Sequence, residues 1–426
     1  METPPIQDKK HDSHSQQYQH GQHDFAEPFD FTDQLNSPTV IANPYPAYHQ
    51  LREQSPLNYV FFPGGVAPGV DEPMRAWALM KYNDVYSALR NHTTFSSASN
   101  PLEEKIGPKL VLLTDDPPRH TRFRRLVNTA FTPKRLQALE PRITAIAHEL
   151  LADLKPGQTD IVQSYAIPLA TKVIASLIGI PEEEYDTFRR WSAATMAILG
   201  LEPQERAQRM QDMLAYFQRI VVTRRTHAAE DLITALVEAK VEGESLHDWE
   251  ILGFCTLLLL AGNETTVNLV GNMLNILVDR PDLWQQLGQN RELVEPAIDE
   301  TLRYESPAQR LLRVTTREVE VSGVRIPQGD AVMTFYGAAN RDPTVFPNPD
   351  VFYLDRTPQN HVAFGKGIHY CLGAPLARAE AKITLNVLLD RFPRLERADL
   401  PAVRQIASPF VLGFQSLPLI LTVETR

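Results

Sequence analysis

Residues 364–373 read Phe364-Gly365-Lys366-Gly367-Ile368-His369-Tyr370-Cys371-Leu372-Gly373, and Ala374-Pro375-Leu376-Ala377-Arg378 follows directly. Glycines around one cysteine let the backbone turn tightly and approach a flat ligand without Cβ clashes. Pro375 suits the first turn of a helix with apolar positions at Leu376, Ile383 and Val387, so Cys371 precedes the N-terminus of that helix. The helix dipole at this end favours a thiolate. Taken alone, the cysteine also fits a buried small apolar residue.

A second informative stretch, Ala261-Gly262-Asn263-Glu264-Thr265-Thr266, lies inside a segment with helical periodicity. We expect this helix to begin after Ser245, where Ser245 and Asp248 resemble a capping box, and to end before Pro281. About 34 residues at about 1.5 Å of rise each give about 50 Å, enough to cross a domain.

One face of this helix combines small residues with a hydroxyl. Its members recur at helical spacing and are Leu258, Ala261, Gly262, Thr265 and Leu269. A diatomic molecule fits such a gap. The alternative makes Gly262 a helix-packing contact and Thr265 a hydroxyl bonded within its own helix.

The loop around Cys371 resembles the haem-binding loop of the cytochrome P-450 family, Phe-Gly-x-Gly-x-His/Arg-x-Cys-x-Gly continuing into Leu-Ala-Arg, and every position matches. The resemblance spans roughly residues 40–426. It implies a mainly α fold with small antiparallel β-sheets (α+β), formed as a single large domain with a long central helix crossing over the haem. It also implies haem b, with Cys371 as the axial ligand whose electron donation promotes O–O cleavage.

The resemblance assigns further residues to the haem and to oxygen chemistry. Glu264 and Thr265 fall on the family's acid and alcohol positions, where Thr265 would orient protons and Glu264 would connect its hydroxyl to solvent-side water. Partners for the two haem propionates are expected at four cationic or hydrogen-bonding positions, which are His120, Arg124, Arg313 and His369. The remaining residues expected beside the haem are Ala261, Gly262, Phe364, Gly365 and Gly373.

Other family positions are structural or line the substrate pocket. Glu300 and Arg303 form an i,i+3 pair on a helix, which by itself is a weak motif. The family buries such a pair and ties it to a later arginine, for which Arg341 is the candidate. The pocket above the haem should include Leu257, Ala261, Thr265, Gln309, Phe410 and residues near Val111 to Leu113. This lining predicts a mostly hydrophobic substrate, with Gln309 available for a hydrogen bond.

The predicted function is monooxygenation, in which one atom of O2 enters a hydrophobic small organic substrate by hydroxylation or epoxidation. Peroxide-driven oxidation, desaturation, ring coupling and C–C cleavage remain alternatives, as does a non-catalytic gas sensor or electron carrier. The sequence shows no second cysteine cluster and no flavin or dinucleotide fingerprint, so electrons from NAD(P)H should arrive through a ferredoxin or flavodoxin with its reductase. Lys366, Arg122 and Arg125 could form a basic face for that partner.

Composition limits the classes of protein to which this chain can belong. The net charge of −10 argues against general nucleic-acid binding. With only two cysteines, Cys255 and Cys371, the chain does not rely on disulfides and fits a reducing compartment. We found no secretory signal and no apolar run long enough to cross a bilayer, so we expect a cytoplasmic protein that does not enter the membrane and is a monomer.

The chain should divide into a tail at residues 1–30 and an oxygenase domain at residues 31–426. The tail is polar and rich in His and Gln, which predicts disorder and at most weak metal binding. Helical periodicity is clearest over residues 136–154, 165–177 and 249–277. We predict one hairpin around Ser322-Gly323, and a second, at a sheet edge, around Gln415-Ser416.

Overall fold

The computed structural model describes residues 35–54, 57–62, 74–98, 111–154, 157–194, 202–356 and 360–422. Most of these residues are helical, and the remaining strands form small sheets, as the sequence predicted. The predicted tail, residues 1–30, lies outside the described residues. The α-helices are α1 Pro38–Ala42, α2 Tyr45–Gln54, α3 Tyr82–Arg90, α4 Arg119–Ala130, α5 Pro133–Asp153, α6 Ile167–Ile178, α7 Tyr185–Ala193, α8 Pro203–Arg224, α9 Leu232–Glu238, α10 Asp248–Val278, α11 Pro281–Gln289, α12 Val294–Tyr304, α13 Tyr336–Ala339 and α14 Ala374–Arg391.

The strands are short and form several separate sheets. In chain order they are β1 Asn58–Phe62, β2 Met74–Leu79, β3 Phe95–Ser96, β4 Gly157–Asp160, β5 Lys240–Val241, β6 Glu244–Ser245, β7 Arg310–Thr315, β8 Val319–Val321, β9 Val324–Ile326, β10 Ala331–Phe335, β11 Arg394–Arg397, β12 Val403–Arg404, β13 Phe414–Ser416 and β14 Pro418–Thr422. The largest sheet has the order β1-β2-β10-β7-β3. Its pairs are antiparallel except for β10 and β2, which run parallel.

The long central helix α10 is confirmed, with 31 residues. It packs against α6, α8, α12 and α14, so it is surrounded by other helices. Its start differs from the prediction, because Ser245 belongs to β6 and the cap is His247. Glu250 accepts a hydrogen bond of 2.9 Å from the backbone N–H of His247, which places the capping interaction two residues later than expected.

The predicted helices over 136–154 and 165–177 are confirmed as α5 and as a π-helical turn, Val162–Ala166, that continues into α6. The hairpin at Ser322-Gly323 is confirmed as β8 paired with β9. Both turn residues have positive φ, 49° and 80°, as a tight two-residue turn requires.

The predicted C-terminal hairpin is wrong. β13 pairs with β12, whereas β14 pairs with β11 and β4 and is therefore the central strand of its sheet. Pro418 does not prevent this, because it is the first residue of β14, where a missing N–H is tolerated.

Candidate active site

A mostly apolar cavity lies between α10 and the loop that carries Cys371. Its floor is formed by 363–365 and 369–373 together with the start of α14, and its opposite wall by one face of α10. The α10 residues that line it are Phe254, Leu257, Leu258, Ala261, Gly262, Thr265, Thr266 and Leu269. The cysteine loop and the small-residue face, predicted separately from sequence, thus face the same space.

Two glycines of the cysteine loop have conformations that favour glycine. Gly365 has φ 68° and Gly367 has φ 70°, both in the left-handed region. A Cβ on Gly367 would lie 2.5 Å from the carbonyl oxygen of Leu89 at the end of α3. Gly367 therefore lets the loop pack on a neighbouring helix. The loop closes through a 3.0 Å hydrogen bond from the Cys371 N–H to the Phe364 carbonyl.

Burial and local dipoles act in opposite directions on Cys371. Burial raises the pKa of its thiol above the ordinary value, while the backbone N–H of Gly373, the Arg124 guanidinium and the backbone N–H of Ala374 lower it. Burial prevails, so the net direction is opposite to the expectation from the helix dipole alone. A buried thiol surrounded by donors and a cation releases its proton when a metal cation binds the sulfur.

Gly262 and Thr265 line the cavity, and they also have the structural roles that the alternative interpretation gave them, namely helix packing for Gly262 and a hydrogen bond within its own helix for Thr265. The Thr265 hydroxyl donates a 2.6 Å hydrogen bond to the carbonyl of Ala261, one turn earlier. A Cβ on Gly262 would lie 2.7 Å from Cδ1 of Ile174 on α6. Glu264 is buried and is not among the cavity-lining residues that the structure describes.

The four predicted propionate partners all line the cavity. They come from α4, from β7 and from the cysteine loop, and are His120, Arg124, Arg313 and His369. The rings of His120 and His369 lie 4.5 Å apart between centroids. Both ring nitrogens of His120 are buried without a hydrogen-bond partner among the described residues. Burial, helped by the nearby His369 and Arg124, lowers the pKa of His120 to about 4.

Glu300 and Arg303 form the predicted buried pair, but the later arginine is Arg356 rather than Arg341. Arg303 donates two hydrogen bonds of 2.7 Å to Glu300, and Arg356 donates a third of 3.0 Å. Arg341 instead donates to the Tyr304 carbonyl and to Asp350. The chain after Asn340 folds back so that Arg356, fifteen residues beyond Arg341, reaches Glu300.

Two predicted pocket residues do not line the described cavity. Gln309 is buried, and its amide donates to the Ser306 carbonyl and occupies the space beside Gly337. Phe410 lies against the guanidinium of Arg310, 5.8 Å from its ring centroid. The cavity-lining residues of this region are Pro307, Ala308 and Leu311. From the earlier segment, Leu112 and Leu113 line the cavity as expected.

Sequence reasoning missed Glu380, a carboxyl group on α14 that lines the same cavity. It is fully buried, and its Oε2 has no hydrogen-bond partner in the part of the chain that is described. Burial raises its pKa well above the ordinary value, because the charged carboxylate has no water around it. Its position five residues, about one and a half turns, after Pro375 on a predicted helix was the only signal available in the sequence.

The predicted basic face is largely neutralised within the chain. Arg122 is bonded to Glu244 and Glu250, each at 2.7 Å, and Arg125 is bonded to Glu242 at 2.5 Å. Lys366 is half-buried on the cysteine loop.

Comparison with known proteins then identifies the family. Residues 196–420 match the family described as Cytochrome P450. The chain belongs to the cytochrome P-450 family. It is 38% identical over 406 residues to cytochrome P-450 109 of Bacillus spizizenii, which covers 92% of this chain and 95% of that protein.

Solved P-450 structures share the fold. CYP109Q5 from Chondromyces apiculatus superposes with a TM-score of 0.82 at 36% identity, covering 92% of this chain and 98% of that one. CYP109E1 from Bacillus megaterium, in complex with testosterone, has a TM-score of 0.79 at 37% identity, with coverage of 89% and 100%.

As a cytochrome P-450, the protein is a haem monooxygenase that acts on small organic substrates. It uses haem b and O2, and electrons from NAD(P)H reach it through partner proteins. Within the described ranges, every helix is too short or too polar to cross a membrane.

Proposed function

We propose that Cys371 is the axial ligand of the haem iron and that the α10 face opposite it is the oxygen side of the site. One observation carries this proposal: the Cys371 loop and the face containing Ala261, Gly262 and Thr265 line the same cavity. When bound, the haem supplies the activation of O2 for insertion of one oxygen atom into the substrate.

The residues around the cavity suit a flat dianionic cofactor. Arg124 lies close enough to Cys371 to lower its pKa, and among the described residues its guanidinium makes no ion pair with a carboxylate. The protonated ring nitrogen of His120 would gain an acceptor from a propionate, which removes the cost of burying that N–H unpaired. Arg313 and His369 complete this propionate-binding set. Ala261, Gly262, Phe364, Gly365 and Gly373 would contact the macrocycle.

Thr265 and Glu264 would carry protons to the oxygen side. The Thr265 hydroxyl is held at the cavity wall by its bond to Ala261, so its oxygen lone pairs remain available to a water or a second donor. Glu264, buried one residue earlier on α10, is placed to pass protons from outside the cavity. Glu300, Arg303 and Arg356 would hold the cysteine side of the molecule in shape without taking part in the chemistry.

The substrate we propose is apolar and polycyclic, with steroids as the first class to test. Several cavity walls are purely aliphatic and suit an apolar substrate. They are formed by Leu112, Leu113, Ile174, Leu257 and Leu311. The relative CYP109E1 was solved with testosterone bound. Hydroxylation is the expected reaction.

For the electron donor we propose an acidic ferredoxin or flavodoxin, served by its own reductase, that docks on the Cys371 side of a monomeric enzyme. A reducing compartment, the cytoplasm, suits a chain whose two cysteines are both free thiols.

The ligand proposal is tested by Cys371→Ala and Cys371→His. Reduced wild-type protein with carbon monoxide should show the long-wavelength Soret band of a thiolate-bound haem, and both variants should lose that band even where haem still binds. Cys255→Ala is the matched control, because Cys255 is the other free cysteine and is buried away from the cavity lining. A Cys371 variant that keeps the band would exclude Cys371 as the ligand.

A further inference from the structure

The arginines of α4 face in two directions. Arg124 lines the cavity near Cys371. Arg122 and Arg125 lie on the outer side of the same helix, and each meets a carboxylate from the turn or strand of the β5–β6 hairpin. The outer cations are therefore part of a helix that also borders the proposed haem site.

The hairpin positions its two carboxylates through a tight turn. β5 and β6 pair Val241 with Glu244, which leaves Glu242 and Gly243 as the two turn residues. Both have positive φ, 56° and 83°, so the turn bends as a two-residue turn of the hairpin type. A glutamate in the left-handed region is uncommon, since turns of this type prefer Asn, Asp or Gly at that position. Its carboxylate accepts a hydrogen bond from Arg125.

The two ion pairs differ in how firmly they are held. Arg122 also forms an ion pair with Glu250 of α10, whose side chain is only 3% exposed. In addition, it donates a hydrogen bond of 2.7 Å to the backbone carbonyl of Ser245. Within the described part of the chain Arg125 forms an ion pair with Glu242 alone, and the two side chains are 48% and 74% exposed. An exposed single pair of this kind exchanges readily for another carboxylate, because solvent and salt weaken it.

We propose that Glu242, in the turn of the β5–β6 hairpin, is an internal acidic cover on Arg125 of α4, and that an acidic electron-transfer protein displaces the Glu242 carboxylate when it docks beside the Cys371 site. This inference rests on the proposed acidic partner. The carboxylates of such a partner would replace Glu242 on Arg125, while Arg122 keeps its bond to Glu250. The hairpin thereby lowers partner affinity and makes binding more selective for partners with enough negative charge to compete.

The test uses Glu242→Gln in the haem-loaded enzyme, which removes one charge and keeps the shape of the side chain. The dissociation constant of an acidic [2Fe–2S] ferredoxin is measured by calorimetric titration from low to high salt, with an acidic flavodoxin as a parallel probe. At low salt the variant should bind one of these probes about two- to fivefold more tightly than the wild type. The gain should vanish at high salt.

Glu320→Gln is the matched control. It removes the same charge from the other small hairpin, β8–β9, which contacts α3 through Ser322 and Asp84. The second test combines Glu242→Gln with Arg125→Gln, where the affinity gain should disappear because no released cation remains. The reduced, carbon monoxide-bound spectrum of each variant verifies that the haem site is intact.

If wild type, Glu242→Gln and Glu320→Gln bind with equal affinity and binding still weakens in salt, the proposed cover is wrong. The proposal of an acidic partner would then remain supported. An equal gain for Glu242→Gln and Glu320→Gln would also overturn it, since net charge alone would then explain the effect. Wild-type binding that is independent of salt for both probes would refute the acidic partner itself, and the cover with it.

Discussion

The Arg303 guanidinium donates two hydrogen bonds of 2.7 Å, one to each carboxylate oxygen of Glu300, and both side chains are fully buried. The same guanidinium donates to the backbone carbonyls of Asn340, Pro349 and Val351. One ion pair therefore fixes α12 to the irregular segment that leads toward the cysteine loop.

Breaking this pair should destabilise the fold severely. Glu300→Ala leaves the Arg303 charge buried without its carboxylate, which typically costs about 3–5 kcal/mol. We expect loss of folded haem protein on expression, or a large drop in the urea midpoint where folded protein is recovered. Glu295→Ala is the matched control on the same helix, because Glu295 is 70% exposed and, among the residues described, its one ion pair is with the exposed Lys382. Equal stability of the two variants would contradict the structural role assigned to Glu300.

Removing the Thr265 hydroxyl should change how reducing equivalents are used more than how fast they are consumed. Thr265→Ala loses the group proposed to hold a proton at the cavity wall, so oxygen is released as hydrogen peroxide and less substrate is hydroxylated. The measurement is the ratio of product to NAD(P)H consumed, together with peroxide yield. Thr265→Ser keeps the hydroxyl and should stay close to wild type. Unchanged coupling in Thr265→Ala would show that substrate or water provides the proton path.

Glu264→Gln should slow oxygen consumption itself. The variant keeps a side chain of the same shape and removes the ionisable group, and loss of a general acid–base group typically costs about 10²–10⁴-fold in rate. Haem content should remain near normal. A rate of NAD(P)H oxidation equal to that of the wild type would show that protons bypass Glu264.

Glu380 makes a prediction about stability and pH. Burial raises its pKa in the folded protein, so folding keeps a proton that the unfolded chain releases above its ordinary pKa of 4.5. Stability is thus lost as pH rises above that value. Glu380→Gln should raise the melting temperature of the holoenzyme at pH 8 by more than at pH 5. Glu396→Gln, an exposed site on β11, should show no such difference, and a pH-independent effect of Glu380→Gln would show that the Glu380 pKa is not raised in the folded protein.

The parts of the structure that were predictable depend on local signals. The β8–β9 hairpin followed from two strand-forming runs around Ser322-Gly323, and α10 followed from its apolar period. The C-terminal hairpin was mispredicted because β14 pairs with Gly157–Asp160 and with Arg394–Arg397, contacts that no local pattern records.

The errors in the site have similar causes. Arg341 and Arg356 lie in one irregular segment, and only its folded path decides which of them reaches Glu300. Gln309 turns away from the cavity because Gly337 leaves room for its amide, which would lie 2.1 Å from a Cβ at that position. In both cases the motifs predicted the correct segment of the chain. They could not predict which side chain reaches the site, because that depends on contacts with residues distant in sequence.

The parallel pairing of β2 with β10 has a consequence for how the protein is made. Trp77 of β2 lies opposite Val332 of β10. More than half of the chain must therefore be synthesised after β2 before the two strands can pair. Contacts so distant in sequence form slowly, because a long loop must close before they contribute any stability. Until β10 is synthesised, the edge of β2 that β10 covers has unpaired backbone N–H and C=O groups, which can pair with other nascent chains, so chaperone supply and growth temperature should affect the yield of this enzyme.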